Sequence, residues 1–117
     1  MATASVRKVS ITFTGDVSDV ETIKALQNPS SPGQSEYIDL SSGHNTIAAP
    51  VGGTTPTGVT IVPPPTNTVA LTLKGAGSDS GIPIHPTDPT SLGIAVGVSA
   101  IVIDAASTVV GVRVVWS

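Results

Sequence analysis

Apolar and polar residues alternate with a period of two along most of this chain, the pattern of strands that bury one face and wet the other. Toward the C-terminus Val69, Leu71 and Leu73 alternate with Thr68, Ala70, Thr72 and Lys74, and Leu92, Ile94, Val96 and Val98 alternate with Gly93, Ala95 and Gly97. Ile101 and Ile103 do the same against Ala100, Val102 and Asp104, as do Val110, Val112, Val114 and Trp116 against Gly111, Arg113 and Val115. Near the N-terminus Lys8 to Thr14 reads as a first strand, with Val9, Ile11 and Phe13 on one side, closed by the turn-prone pair Gly15–Asp16. Glu36 to Leu40, Asn45 to Ala48 and Val59 to Val62 are shorter strands. Ile82 to Ile84 reads as an edge piece, because Pro83 has no N–H to give to a ladder.

Eight or nine short strands separated by Gly, Pro, Ser, Asn and Asp clusters predict an all-β fold, a two-sheet antiparallel sandwich, in one domain covering residues 1–117. One segment departs from this period. Ser18 and Glu21 have capping-box spacing, and Val20, Ile23, Lys24 and Gln27 follow at helical spacing before Asn28–Pro29, which predicts a helical turn or two. Asn28 to Gln34 and Pro50 to Gly58 read as exposed loops. Pro63–Pro64–Pro65 must be extended and marks a strand exit or a sheet corner.

Composition narrows the function. The chain has 117 residues, enough for a core without staples, and no cysteine, which removes disulfide frameworks, thiolate metal sites and thiol nucleophiles. Charged residues make up 11%, less than half of the ~25% usual in globular domains. Their placement is uneven: Ser41 to Leu73 holds no Asp, Glu, Lys or Arg, and Ile82 to Ile103 holds only Asp88. Mixed charge keeps free monomers apart, so such neutral stretches predict surface that faces other protein, as in a homo-oligomer. Arg7–Lys8 is the only basic pair, which argues against a nucleic-acid partner, and three aromatics, Phe13, Tyr37 and Trp116, are too few for stacking platforms. The N-terminus lacks a secretory pattern. Ser91 to Trp116 is apolar enough to suggest a membrane span, but Asp104 at its middle would cost roughly 2.5–3.5 kcal/mol there and the period is that of strands, so no membrane association is expected.

The segment with most chemistry is Thr72 to Thr90, TLKGAGSDSGIPIHPTDPT. Asp79, His85 and Asp88 could be metal ligands, or a serine could pair with His85 and an aspartate for nucleophilic catalysis. Against this, His44 and His85 are the only histidines, neither has ligand spacing, and no serine sits in a Gly-x-Ser-x-Gly turn. A calcium loop lacks its acidic residues, and Gly75 to Gly81 lacks the Gly-Lys-Ser/Thr of a phosphate loop. The reading that fits better has the glycines turning the backbone and Asp79 capping its own turn. No catalytic, cofactor-binding or metal-binding residue is therefore expected, and no enzyme. Trp116, in phase with Val112 and Val114, reads as core before it reads as a binding anchor, and Glu36, Tyr37 and Asp39 read as a strand with one solvated face.

Four stretches carry a family likeness: Asn28-Pro-Ser-Ser-Pro-Gly-Gln34, Leu40-Ser-Ser-Gly-His-Asn-Thr-Ile47, Ile61-Val-Pro-Pro-Pro65, and Leu71 through Thr90 with its Lys-Gly, Asp-x-Gly and His-Pro-Thr-x-Pro-Thr elements. Over about residues 28–117 the chain resembles small virion proteins of tailed bacteriophages. The resemblance implies a jelly-roll-like β domain and a capsid decoration or cement protein, located in the virion after synthesis in the host cytoplasm. Its partner would be the major capsid protein or another virion protein. A tail- or fibre-associated module binding a receptor or carbohydrate is the other function compatible with this composition.

Overall fold

The computed structural model describes residues 34–50 and 56–117, together with the backbone of residues 5–9 and 24–28. The described residues form ten strands and no helix: β1 (Ser5–Val9), β2 (Lys24–Asn28), β3 (Gln34–Leu40), β4 (Gly43–Ala48), β5 (Gly58–Val62), β6 (Leu71–Lys74), β7 (Ile82–Ile84), β8 (Thr90–Gly93), β9 (Ala100–Ala105) and β10 (Val109–Trp116). Among the described residues β1 and β2 pair only with each other. The other eight make two four-stranded antiparallel sheets, ordered β3-β10-β5-β8 and β4-β9-β6-β7.

The sheets pack face to face because each presents one apolar set. Leu40, Val59, Ile61, Val112, Val114 and Trp116 come from the first, and Ile47, Leu71, Ile101, Ile103 and Ala105 from the second. The all-β sandwich expected from the period of two is the fold observed.

Four local features differ from the sequence expectation. Lys24 to Gln27, assigned to a helical turn, lies in β2, paired from Val9↔Lys24 to Ser5↔Asn28; residues 18–23 lie outside the described residues. A helix of a turn or two cannot offset its nucleation cost, whereas a partner strand satisfies the same backbone groups. β2 raises the strand count to ten. The first strand is placed earlier, at Ser5–Val9, and residues 10–14 lie outside the described residues. The apolar run from Leu92 to Val98 is strand only as far as Gly93. Beyond it the Ile94 N–H donates to the Thr57 carbonyl at 2.8 Å and the Val98 N–H to that of Ala95 at 3.3 Å, closing a turn.

In β10 the alternation slips. Val109 pairs with Leu40 and Val112 with Ile38, so three steps on β10 match two on β3, and both valines face inward while Val110 is exposed. The extra residue is a β-bulge accommodated by Gly111 at φ +84°, whose N–H donates to Asp39 Oδ1 at 3.0 Å.

The β3–β4 corner is held by Asn45, whose Oδ1 accepts from the Ser41 N–H at 2.8 Å and whose Nδ2 lies 2.9 Å from the Ser41 carbonyl and 3.1 Å from that of Ile103. Asn67 does similar work after the prolines, donating to the carbonyls of Val69 and Pro86 and accepting from the Val69 N–H.

Candidate functional site

The Thr72–Thr90 segment wraps the β6–β7 end of the second sheet, and Asp79 and His85 hydrogen-bond within its own turns. Asp79 Oδ2 accepts from the N–H groups of Gly75 (3.1 Å) and Ala76 (2.9 Å). His85 Nδ1 accepts from the N–H groups of Asp88 (2.8 Å) and Thr87 (3.2 Å), which fixes the ring by its acceptor nitrogen and leaves Nε2 3.8 Å from Asp88 Oδ2. Asp79 is thus the turn cap expected from its position, and His85 is a turn residue. Among the described residues no three His, Asp or Glu side chains gather as a metal-holding group.

A different ionic cluster spans the outer face of the second sheet. Pairing places His44 opposite Asp104, and Asp104 opposite Thr72, with Lys74 two residues further along β6. Lys74 Nζ lies 3.0 Å from Asp104 Oδ2, and His44 Nδ1 lies 3.6 Å from the same oxygen. The turn at 75–81 covers this cluster: a Cβ on Gly77 would lie 3.3 Å from the His44 ring, and one on Gly81 2.6 Å from Lys74 Cγ. The Lys74 side chain is consequently only 10% exposed, over Val102, which is buried although it faces outward. Lys74 and His44 approach the same Asp104 carboxylate oxygen, so the cluster ties β4, β9 and β6 together. Sequence reasoning missed it, since its members are far apart in the chain and meet only through the register.

The two open sides of the sandwich differ in chemistry. On the side where β3 and β4 are edges, a groove of about 510 Å³ mixes polar lining from Glu36, Asp39, His44, Asn45 and Thr46 with apolar lining from Ile38, Leu40, Ile47 and Ala48. Beside it Tyr37 is 73% exposed, with the Arg113 guanidinium 6.0 Å from its ring centroid and Arg113 Nε donating to Ser35 Oγ at 2.8 Å. On the opposite side, where β7 and β8 are edges, a groove of about 700 Å³ is lined mainly by Leu73, Ile82, Leu92, Ile94, Val98 and Ile101. Ile82 is 68% exposed at its mouth, and Val96, 72% exposed, sits on the adjoining turn. Trp116, by contrast, is fully buried in the core.

No family model matches the chain, nor does any curated protein or solved structure.

Proposed function

We propose that this chain is a structural component of a bacteriophage virion, a capsid decoration protein that bridges and stabilises capsid subunits and acts by contact, not by catalysis. The observation that carries the proposal is the wiring of the sandwich. With sheets β3-β10-β5-β8 and β4-β9-β6-β7, every connection from β3 to β10 crosses between sheets except β6 to β7. We read this as jelly-roll order, an architecture used by viral capsid and lectin domains. The virion-like stretches between Asn28 and Thr90 supply the choice between those two uses. Support also comes from the surface: an apolar groove on one side and a Ser41–Leu73 stretch without Asp, Glu, Lys or Arg suit many modest contacts repeated by symmetry.

The test is to add the purified protein to preformed shells of the phage that carries it and to compare their thermal melting with that of bare shells. A raised melting temperature, with many copies bound over the shell, is expected. Unchanged melting, with binding to cell-surface glycans instead, overturns the proposal in favour of a fibre module that uses the exposed Tyr37 side.

A further inference from the structure

The four edge strands of the sandwich are unequal. β7 has three residues and carries Pro83, β8 has four, and on β4 the Gly43 carbonyl accepts from Asn45 Nδ2 at 3.0 Å. β3 is the longest edge at seven residues, with neither proline nor glycine, and among the described residues only β10 pairs with it. A long, regular edge offers a row of unpaired N–H and C=O groups, a template for another strand.

The sequence of β3 is complementary to itself. Let it run antiparallel to β3 of a second copy in the register that pairs all seven residues. Tyr37 then lies on the two-fold axis opposite its own copy, Glu36 meets Ile38, Ser35 meets Asp39, and Gln34 meets Leu40. No like charges face each other in this register. Moving the axis to Glu36 would set two carboxylates opposite each other, and moving it to Ile38 would leave Gln34 and Ser35 unpaired.

Charge on the outer face fits the same register. Ser35, Tyr37 and Asp39 are exposed there, Arg113 of β10 lies opposite Tyr37, and Arg113 Nε donates to Ser35 Oγ at 2.8 Å. The guanidinium is thereby held at the edge, beside the place that Asp39 of the second copy takes. Asp39 uses Oδ1 to accept the Gly111 N–H at 3.0 Å, and Oδ2 is left for that guanidinium. The axis makes this pair twice. It also sets side by side two Tyr37 rings, each 73% exposed alone and each flanked by its own Arg113.

We propose that β3 pairs with β3 of a second copy across a two-fold axis at Tyr37, joining two four-stranded sheets into one continuous sheet with Arg113–Asp39 pairs between copies. Such a contact is isologous and closes at two copies, leaving the β7–β8 side open. It rests on the edge and its register, not on a virion role.

The cysteine-free chain makes the test direct. Directly opposite residues have Cα atoms about 4.5–5.5 Å apart, inside the roughly 4.4–6.8 Å that a disulfide spans, so Tyr37→Cys is expected to link to itself between copies on mild oxidation. Ser35→Cys, on the same strand and face, is expected not to, because its copy is displaced along the strand by on the order of 13 Å. In parallel, Tyr37→Lys sets cations against both Arg113 side chains and is expected to weaken self-association by about tenfold or more, while mixing it with Tyr37→Asp restores pairing between the two variants. Because Tyr37 is exposed, these variants keep the fold, which their thermal melts verify. Equal linking of the two cysteine variants, no link in Tyr37→Cys, unchanged association of Tyr37→Lys, or a chain that stays monomeric and pairs through β3 only with added shells overturns the inference.

Discussion

Leu71 and Ile103, on the neighbouring strands β6 and β9 of the second sheet, belong to the core at 1% and 0% exposure and show what one buried side chain contributes. Truncating either to alanine removes methylene contacts and leaves a cavity that the surrounding strands cannot close. Leu71→Ala and Ile103→Ala are each expected to destabilise the domain by about 2–5 kcal/mol, read from urea unfolding midpoints at unchanged slope. Losses of a few tenths would mean that the two sheets pack less closely than described. Both positions were legible in the sequence because they sit mid-strand in clean alternation, and Asp79 was legible because an aspartate among glycines has few other uses. The Lys74–Asp104–His44 cluster was not. Alternation puts these residues on an outer face, but only the pairing of β4, β9 and β6 brings them onto one carboxylate oxygen.

At the scale of elements, the sequence pattern locates strands better than it locates their irregularities. Val109, Val110 and Val112 are equally apolar, so hydropathy cannot say where the bulge falls; that is decided by Gly111 adopting φ +84° and by Asp39 accepting its N–H from the neighbouring strand. The end of β8 was hidden in the same way, because Ile94 and Val98 keep the apolar period while their backbones turn toward Thr57 and Ala95. The Gly75–Gly81 turn offers a test of which glycines matter. Gly81 has φ +75°, and a Cβ there would lie 2.7 Å from the Leu73 carbonyl oxygen, which belongs to the β6 backbone and cannot move aside. Gly77 has no such backbone neighbour, only the half-exposed His44 ring at 3.3 Å. Gly81→Ala is therefore expected to cost about 1–3 kcal/mol, the range for a non-glycine residue held in a left-handed conformation, while Gly77→Ala stays within about 0.5 kcal/mol of wild type. Equal losses in thermal melts of the two variants would count against the turn as described.

For the whole molecule, the distribution of charge sets how copies meet. Net charge is only −3, the Ser41–Leu73 stretch holds no Asp, Glu, Lys or Arg, and the apolar side of the sandwich is walled by Leu, Ile and Val. The sandwich itself was legible from the period of two, but this asymmetry was not, because which strands become edges follows from the wiring and not from any local pattern. Association through the apolar side draws on removal of surface from water, a term that weakens on cooling and does not depend on screening. Association through charge pairs would fall as the Debye length shrinks from ~10 Å at 0.1 M salt toward ~3 Å at 1 M. Sedimentation of the full chain across that range of sodium chloride is accordingly expected to show, for association of β3-paired copies through the apolar side, a dissociation constant that changes by less than about threefold, under 1 kcal/mol, and that rises when the sample is cooled. A tenfold or larger weakening in high salt, with no temperature effect, would instead point to Arg7–Lys8 meeting the acidic Glu36–Asp39 side of another copy, and would move the contact to the opposite face of the molecule.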